Sequence, residues 1–136
     1  MFFGYSNCPD ICQMVMGNLA NALARLGDDR DRVDVLFVTT DPARDTVAAL
    51  RTYLGRFDPA FLGITGDLAA LQQAGESFHV YFDEGVPLPS GGYDVTHSDQ
   101  VYAVTPDDTV PMLWTRETSP HEYASDVLTL LAGIDA

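Results

Sequence analysis

The stretch Gly4-Tyr5-Ser6-Asn7-Cys8-Pro9-Asp10-Ile11-Cys12 joins an apolar run to an amphipathic one, and it holds both cysteines of the chain. Before it, Met1 to Tyr5 reads as a buried strand. Ser6 and Asn7 break that run. Pro9 suits the first turn of a helix, where a missing N–H costs nothing. Asn7 or Cys8 then takes the cap position, and Asp10 falls in the first turn, where negative charge is favourable. On that helix Cys8 and Cys12 are four residues apart and share one face. A helix N-terminus lowers a thiol's pKa and makes it a better nucleophile and metal ligand. The pair therefore reads as a reactive dithiol, a metal site or both, against the alternative of two inert buried thiols. Three residues separate the cysteines, where the thioredoxin-type redox motif has two. That spacing favours a metal clamp over an oxidoreductase.

Outward from this stretch, Val15, Leu19, Ala22, Leu23 and Leu26 mark one helical face, which Gly27 can close. Met14 and Met16 flank that face as filler rather than ligands. Asp28 to Arg32 is a charged turn. Val33 to Thr40 reads as a second buried strand. Asp41-Pro42-Ala43-Arg44-Asp45-Thr46 closes it and opens a helix with Val47, Leu50, Leu54 and Phe57 on one stripe. Asp41, Arg44 and Asp45 lie just past a strand's carboxyl end, where α/β proteins often place function. A turn held by a local Arg–Asp pair is the expected reading, with orientation of a partner as the alternative. Phe61 to Thr65 is a third strand, and Gly66-Asp67 starts a helix carrying Leu68, Leu71, Gly75 and Phe78. His79 reads as a surface or structural residue. Asp83 to Asp94, with Gly85, Pro87, Pro89, Gly91 and Gly92, has no period and reads as a loop. Val101 to Val104 and Thr109 to Trp114 form a hairpin around Pro106-Asp107-Asp108. Ser119-Pro120 starts the last helix, with Glu122 in its first turn and Tyr123, Val127, Leu130, Leu131 and Ile134 on its apolar face.

The order is strand, helix, strand, helix, strand, helix, hairpin, helix. Consecutive βα units require a parallel sheet with crossover helices, and the hairpin adds antiparallel strands at the edge. The expected fold is α/β and thioredoxin-like: a central mixed sheet flanked by helices, with a C-terminal hairpin and helix. A chain of 136 residues suggests one domain, here 1–136, and its 46% hydrophobic content can fill a core. The net charge of −13, with all seven basic residues arginine, argues against nucleic acid and against an anionic membrane surface as partners. It would attract cations or basic protein patches. No stretch is long and apolar enough to span a bilayer, and no signal peptide is visible ahead of the Met1 strand.

His97 lies between the Gly/Pro-rich segment and a strand. In a fold of this type the loop entering the hairpin approaches the start of the first helix, so His97 is expected near Cys8 and Cys12. Two thiolates and an imidazole make a soft three-coordinate set that suits Cu(I) and could hold Cu(II) with one added ligand. Zinc would want a fourth ligand or water, and an iron–sulfur cluster more cysteines. A hairpin hydrogen-bonding role for His97 and a Cys–His nucleophile remain alternatives.

Three pieces carry a resemblance: Phe3-Gly4-Tyr5-Ser6-Asn7-Cys8-Pro9-Asp10-Ile11-Cys12, then Thr40-Asp41-Pro42-Ala43-Arg44-Asp45-Thr46, then His97-Ser98 ahead of Val101-Tyr102. In that order the chain closely resembles the SCO/SenC proteins, copper-binding thioredoxin-like proteins implicated in cytochrome c oxidase assembly. The resemblance covers nearly the whole chain. It implies that Cys8, Cys12 and His97 correspond to the family's copper ligands. It implies delivery of copper to the binuclear copper centre of oxidase subunit II or another copper protein, reduction of that centre's cysteines, or both. It implies a monomer at the extracytoplasmic face of the bacterial inner membrane or in the periplasm, without the N-terminal anchor and leading hairpin that members carry. The chain departs from the pattern at Gln13, where proline usually follows the second cysteine, and at Asn7, where histidine often precedes the first.

Two functions follow. A copper metallochaperone would hold Cu(I) on Cys8, Cys12 and His97. A thiol–disulfide oxidoreductase would attack with Cys8 and resolve with Cys12. A redox or copper sensor is a weaker third. The first two can coexist, because thiolates bind copper only when reduced.

Overall fold

The computed structural model describes residues 1–8, 11–87, 93–96 and 100–136, with side chains throughout except at 83–87 and 93–96. Strand β1 (Phe2–Gly4) is followed by helix α1 (Ile11–Ala24), β2 (Leu36–Thr39), α2 (Val47–Gly55), β3 (Leu62–Ile64) and α3 (Leu68–Glu76). Then come β4 (Tyr81–Pro87), β5 (Tyr93–Thr96), β6 (Val101–Ala103), β7 (Met112–Trp114) and α4 (Pro120–Asp135). Five strands form one sheet in the order β3-β2-β1-β6-β7. β1 pairs in parallel with β2, and β2 with β3, as their helical crossovers require. β6 runs antiparallel to β1, with Val101 opposite Phe2, and β7 antiparallel to β6. This is the mixed, helix-flanked sheet that the element order predicts.

β1 is the centre because both of its faces are buried. Successive side chains of a strand point to opposite faces, so Phe2 and Phe3 feed different cores. Phe2 and Phe37 pack with Val15, Met16 and Leu19 of α1, Leu50, Tyr53 and Leu54 of α2, and Tyr123 of α4. Phe3 and Val38 pack with Leu71, Val80, Phe82 and Tyr102 on the other side. The thiols of Cys8 and Cys12 belong to the first core.

Helix boundaries follow local chemistry. Ser119 and Glu122 make a capping box ahead of α4, with Pro120 in the first turn. The Thr46 hydroxyl accepts from the Ala49 N–H at the start of α2. Gly27 has φ +61°, and the charged Gly27–Arg32 turn is a short 3₁₀ helix. Its Arg32 is paired with Asp135 at the end of α4, and its Arg30 with Asp58. No described helix is long and apolar enough to cross a membrane.

Two sequence expectations change. The segment from Asp83 to Asp94 is not all loop: β4 and β5 pair as a separate antiparallel ribbon, Tyr81 opposite Thr96 and Pro87 opposite Tyr93. Pairing in a ribbon uses backbone groups alone, and the register shift between Phe82 and Pro87 erases the alternation that would reveal it. Val47, on the predicted stripe of α2, is 61% exposed, because it stands at the first position of the helix.

Candidate metal centre

β1 delivers the chain to the carboxyl end of the sheet, where Tyr5 to Cys8 form a turn closed by a bond from the Cys8 N–H to the Tyr5 carbonyl at 3.2 Å. Cys12 follows in the first turn of α1. Its N–H donates to the Cys8 sulfur at 3.4 Å, so Cys8 fills the acceptor role of a helix cap. The pair is thus brought together, with Cys12 on α1 and Cys8 ahead of it rather than on the same helical face. Neither is in a disulfide and both are buried, Cys8 at 8% exposure and Cys12 at 4%.

Gly4 makes room for this arrangement. A Cβ there would stand 2.9 Å from the Cys12 sulfur and 2.8 Å from Cε1 of Phe2, so any larger residue would displace the sulfur or the ring. The Cys12 thiol is pushed far above the ordinary thiol range, first by its hydrogen bond with Cys8 and then by burial; the Tyr5 N–H offsets this in part. That direction opposes the lowering expected of a helix N-terminus. At Cys12 the neighbouring Cys8 sulfur, which holds the proton between the pair and repels a second negative charge, and the dry environment decide the direction. The metal that could hold such a pair must displace its protons, and a soft cation does so by bonding to sulfur.

The β2–α2 turn lies against the same loop. Asp45 is 1% exposed, and its carboxylate accepts from the Ser6 N–H at 3.1 Å, from the Ser6 hydroxyl, and from the Thr39 hydroxyl at 2.7 Å. Thr39 in turn accepts from the Asp41 N–H at 2.9 Å. The Thr40 N–H donates to the Gly4 carbonyl at 2.8 Å, which ties the ends of β1 and β2 together. The local Arg–Asp pair expected from sequence is Arg44 with Asp41, at 3.8 Å.

Tyr53 joins the site without a sequence signal beyond its i+3 spacing from Leu50, which puts it on the buried stripe. Its ring packs on Phe37 at 5.7 Å, and its buried hydroxyl has no hydrogen-bond partner among the described residues. Burial, then the nearby Cys12 and Cys8, push that hydroxyl up from its ordinary range. Tyr53 also lines an open cavity of about 430 Å³ with Ser6, Asn7, Ala48, Thr52 and Arg56, beside the cysteine turn.

His97 lies outside the described residues, as do Pro9 and Asp10. Among the described residues no three histidine, cysteine or carboxylate side chains form a metal-holding group. His79 is exposed, in a left-handed turn with φ 58° after α3, and plays no part in the site.

The family described as SCO1/SenC matches residues 1–132. A zebrafish (Danio rerio) protein, SCO2 homolog, mitochondrial, is 38% identical over 109 residues, covering 79% of this chain and 39% of that protein. Its human (Homo sapiens) counterpart is 33% identical over 129 residues, covering 93% of this chain and 48% of that protein. This chain therefore spans less than half the length of either. The solved structure of Bradyrhizobium japonicum ScoI with copper bound is 34% identical and superposes with a TM-score of 0.81, covering 94% of this chain and 81% of that one.

Proposed function

The chain belongs to the SCO1/SenC family, and from that premise we propose that it is a copper metallochaperone that holds Cu(I) on Cys8, Cys12 and His97. The recipient is the binuclear copper site of cytochrome c oxidase subunit II or another copper protein, met at the extracytoplasmic face of the membrane. The observation that carries this reading is the pair of reduced thiols at the head of α1, with the Cys12 N–H on the Cys8 sulfur. The relative solved with copper bound, at 34% identity, supports it. So does the direction of β6. It runs antiparallel to β1, so its first residue, Val101, stands at its dithiol end, four residues after His97 in sequence.

Cargo binding follows from the chemistry of the pair. Each thiol gives up a proton as its sulfur bonds to copper. The raised Cys12 pKa makes that proton release costly, so loading tightens as pH rises. Release to a recipient returns the protons to the sulfurs. Anaerobic titration with Cu(I) against a chromophoric chelator tests this. Wild type binds one equivalent; Cys8→Ala and Cys12→Ala lose that binding, and His97→Ala weakens it. Unchanged tight binding in His97→Ala would remove His97 from the ligand set.

Reduction of a partner's disulfide is a second reading, favoured by the close, reduced dithiol. The Cys8 thiolate attacks one partner sulfur, forming a mixed disulfide and releasing the other as a thiolate. Cys12 then attacks Cys8, giving the Cys8–Cys12 disulfide and the second partner thiol, so two electrons pass to the partner. Oxidising the copper-loaded protein should eject copper, since one sulfur pair cannot serve both bonds. Retained copper beside a confirmed disulfide would refute that coupling.

A further inference from the structure

We propose that Asp45 is the positioning residue of the dithiol: its carboxylate joins the Ser6–Asn7 turn to the end of β2 and so sets where the Cys8 sulfur stands against Cys12. The inference rests on the copper-and-thiol reading above. It explains why a carboxylate is buried where no cation pairs with it among the described residues. The nearest arginine in sequence, Arg44, turns to Asp41 instead. Three donors hold Asp45, two of them from Ser6, two residues before Cys8. A buried carboxylate is tolerated only where such donors are supplied, so the Ser6 turn and the charge hold each other in place.

The consequence reaches the sulfur by a short path. Ser6 is fixed through both its N–H and its hydroxyl. Cys8 then closes the turn on the Tyr5 carbonyl at 3.2 Å, and its sulfur takes the Cys12 N–H at 3.4 Å. The third donor, Thr39, lies on β2 directly opposite Gly4 of β1, the residue that shapes the space around the Cys12 sulfur. One carboxylate therefore couples the loop that carries Cys8 to the strand pair that seats Cys12. Groups that orient a ligand in this way commonly matter to binding as much as a weak ligand does.

The test compares Asp45→Ala, Asp45→Asn, Ser6→Ala and Thr46→Ala in reduced, metal-free protein, reading Cu(I) affinity by chelator competition and the dithiol potential in a thiol–disulfide buffer. Asp45→Ala should weaken Cu(I) binding roughly 10- to 100-fold. It should also make the potential less negative, because a misplaced Cys8 closes a poorer disulfide. Ser6→Ala should move both readouts the same way by less, with the charge still present. Asp45→Asn should recover part of the loss, since its amide oxygen still accepts a hydroxyl. Thr46→Ala, which removes only the α2 cap, should lower the melting temperature and leave both readouts alone. Wild-type affinity and potential in both Asp45→Ala and Ser6→Ala would overturn the proposal. Should Asp45→Ala fail to fold, Ser6→Ala decides. Should wild type bind no Cu(I), the functional reading fails, and the potentials alone still judge Asp45.

Discussion

Helix α1 connects two ends of the molecule that are built from opposite materials. At its start, the ends of β1 and β2 bury Thr39, Thr40, Asp41 and Asp45 at 1% exposure or less, around two thiols. At its other end, Leu19, Leu23 and Leu26 face Leu130 and Leu131 of α4 and Ala103 of β6 across an apolar cavity of about 570 Å³. The larger hollow is not where the reactive groups are. Buried polar groups cost stability unless each is partnered, so a fold concentrates them where position matters. The apolar end has no such demand and can be loosely filled. The carboxyl ends of the parallel strands hold the chemistry here, as in other open α/β sheets. The opposite end supplies cohesion.

That division is open to direct attack. Leu131→Ala at the apolar end removes a side chain that is 8% exposed and already borders a cavity. It should cost about 2–3 kcal/mol in urea unfolding, yet leave the Cu(I) affinity of the folded protein unchanged. A parallel loss of copper affinity would mean that α1 transmits strain between the two ends. Gly4→Ala at the dithiol end should cost somewhat less, about 1–3 kcal/mol, by overpacking against Phe2 and Cys12. Unlike the leucine, it should also weaken copper binding, because the atom it displaces is a ligand sulfur. Wild-type copper affinity in Gly4→Ala would show that the Cys12 sulfur has freedom that its packing denies.

The two ends also differ in how far the sequence discloses them. The apolar end follows from periodicity: Leu19 and Leu23 on α1, Leu26 just past its end, and Tyr123, Leu130 and Leu131 on α4, stand where their spacing puts them. The cysteines likewise meet four residues apart, although Cys8 stands ahead of α1 and only Cys12 lies on it. The grip of Asp45 on Ser6 spans 39 positions and depends on the register of β1 against β2, Phe2 opposite Phe37. Neither segment carries that register in its own pattern, so Asp45 reads locally as half of an Arg–Asp turn. The raised Cys12 pKa is hidden for a similar reason, since the hydrogen bond with Cys8 and the burial that cause it are facts of the folded chain. The β4–β5 ribbon stayed hidden because it is held by backbone pairing across Gly- and Pro-rich sequence.

A smaller effect tests whether α4 belongs wholly to the apolar end. Ser119→Ala removes the hydroxyl that accepts from the Glu122 N–H at 3.2 Å and breaks the capping box. The expected loss is about 1 kcal/mol, read as a lower urea midpoint with an unchanged slope. Copper affinity and dithiol potential should not move. If they do, the capping turn contributes to the site through Asn18, whose amide donates to the Thr118 carbonyl at 3.4 Å.

The smallest expected effect is a pH dependence that belongs to the dithiol end alone. A thiol whose folded pKa is raised keeps its proton where the unfolded chain has lost it. Stability from this source is therefore complete below the unfolded thiol pKa of about 8.5 and declines as pH rises through it. For Cys12 the folded value is raised, so the reduced protein should lose somewhat under 1 kcal/mol by about half a unit above that point. The chain has no lysine, and the buried Met1 amine, lowered to about 5, acts with the opposite sign below about pH 8. The raised hydroxyls of Tyr53 and Tyr123, the latter pushed up to about 12, act with the same sign as Cys12 only near pH 10 and above. Urea unfolding of reduced protein at pH 7 to 9.5 measures the slope, and Cys12→Ala should abolish its first part. A slope that survives in Cys12→Ala would assign the loss to Cys8 and invert the roles of the two sulfurs.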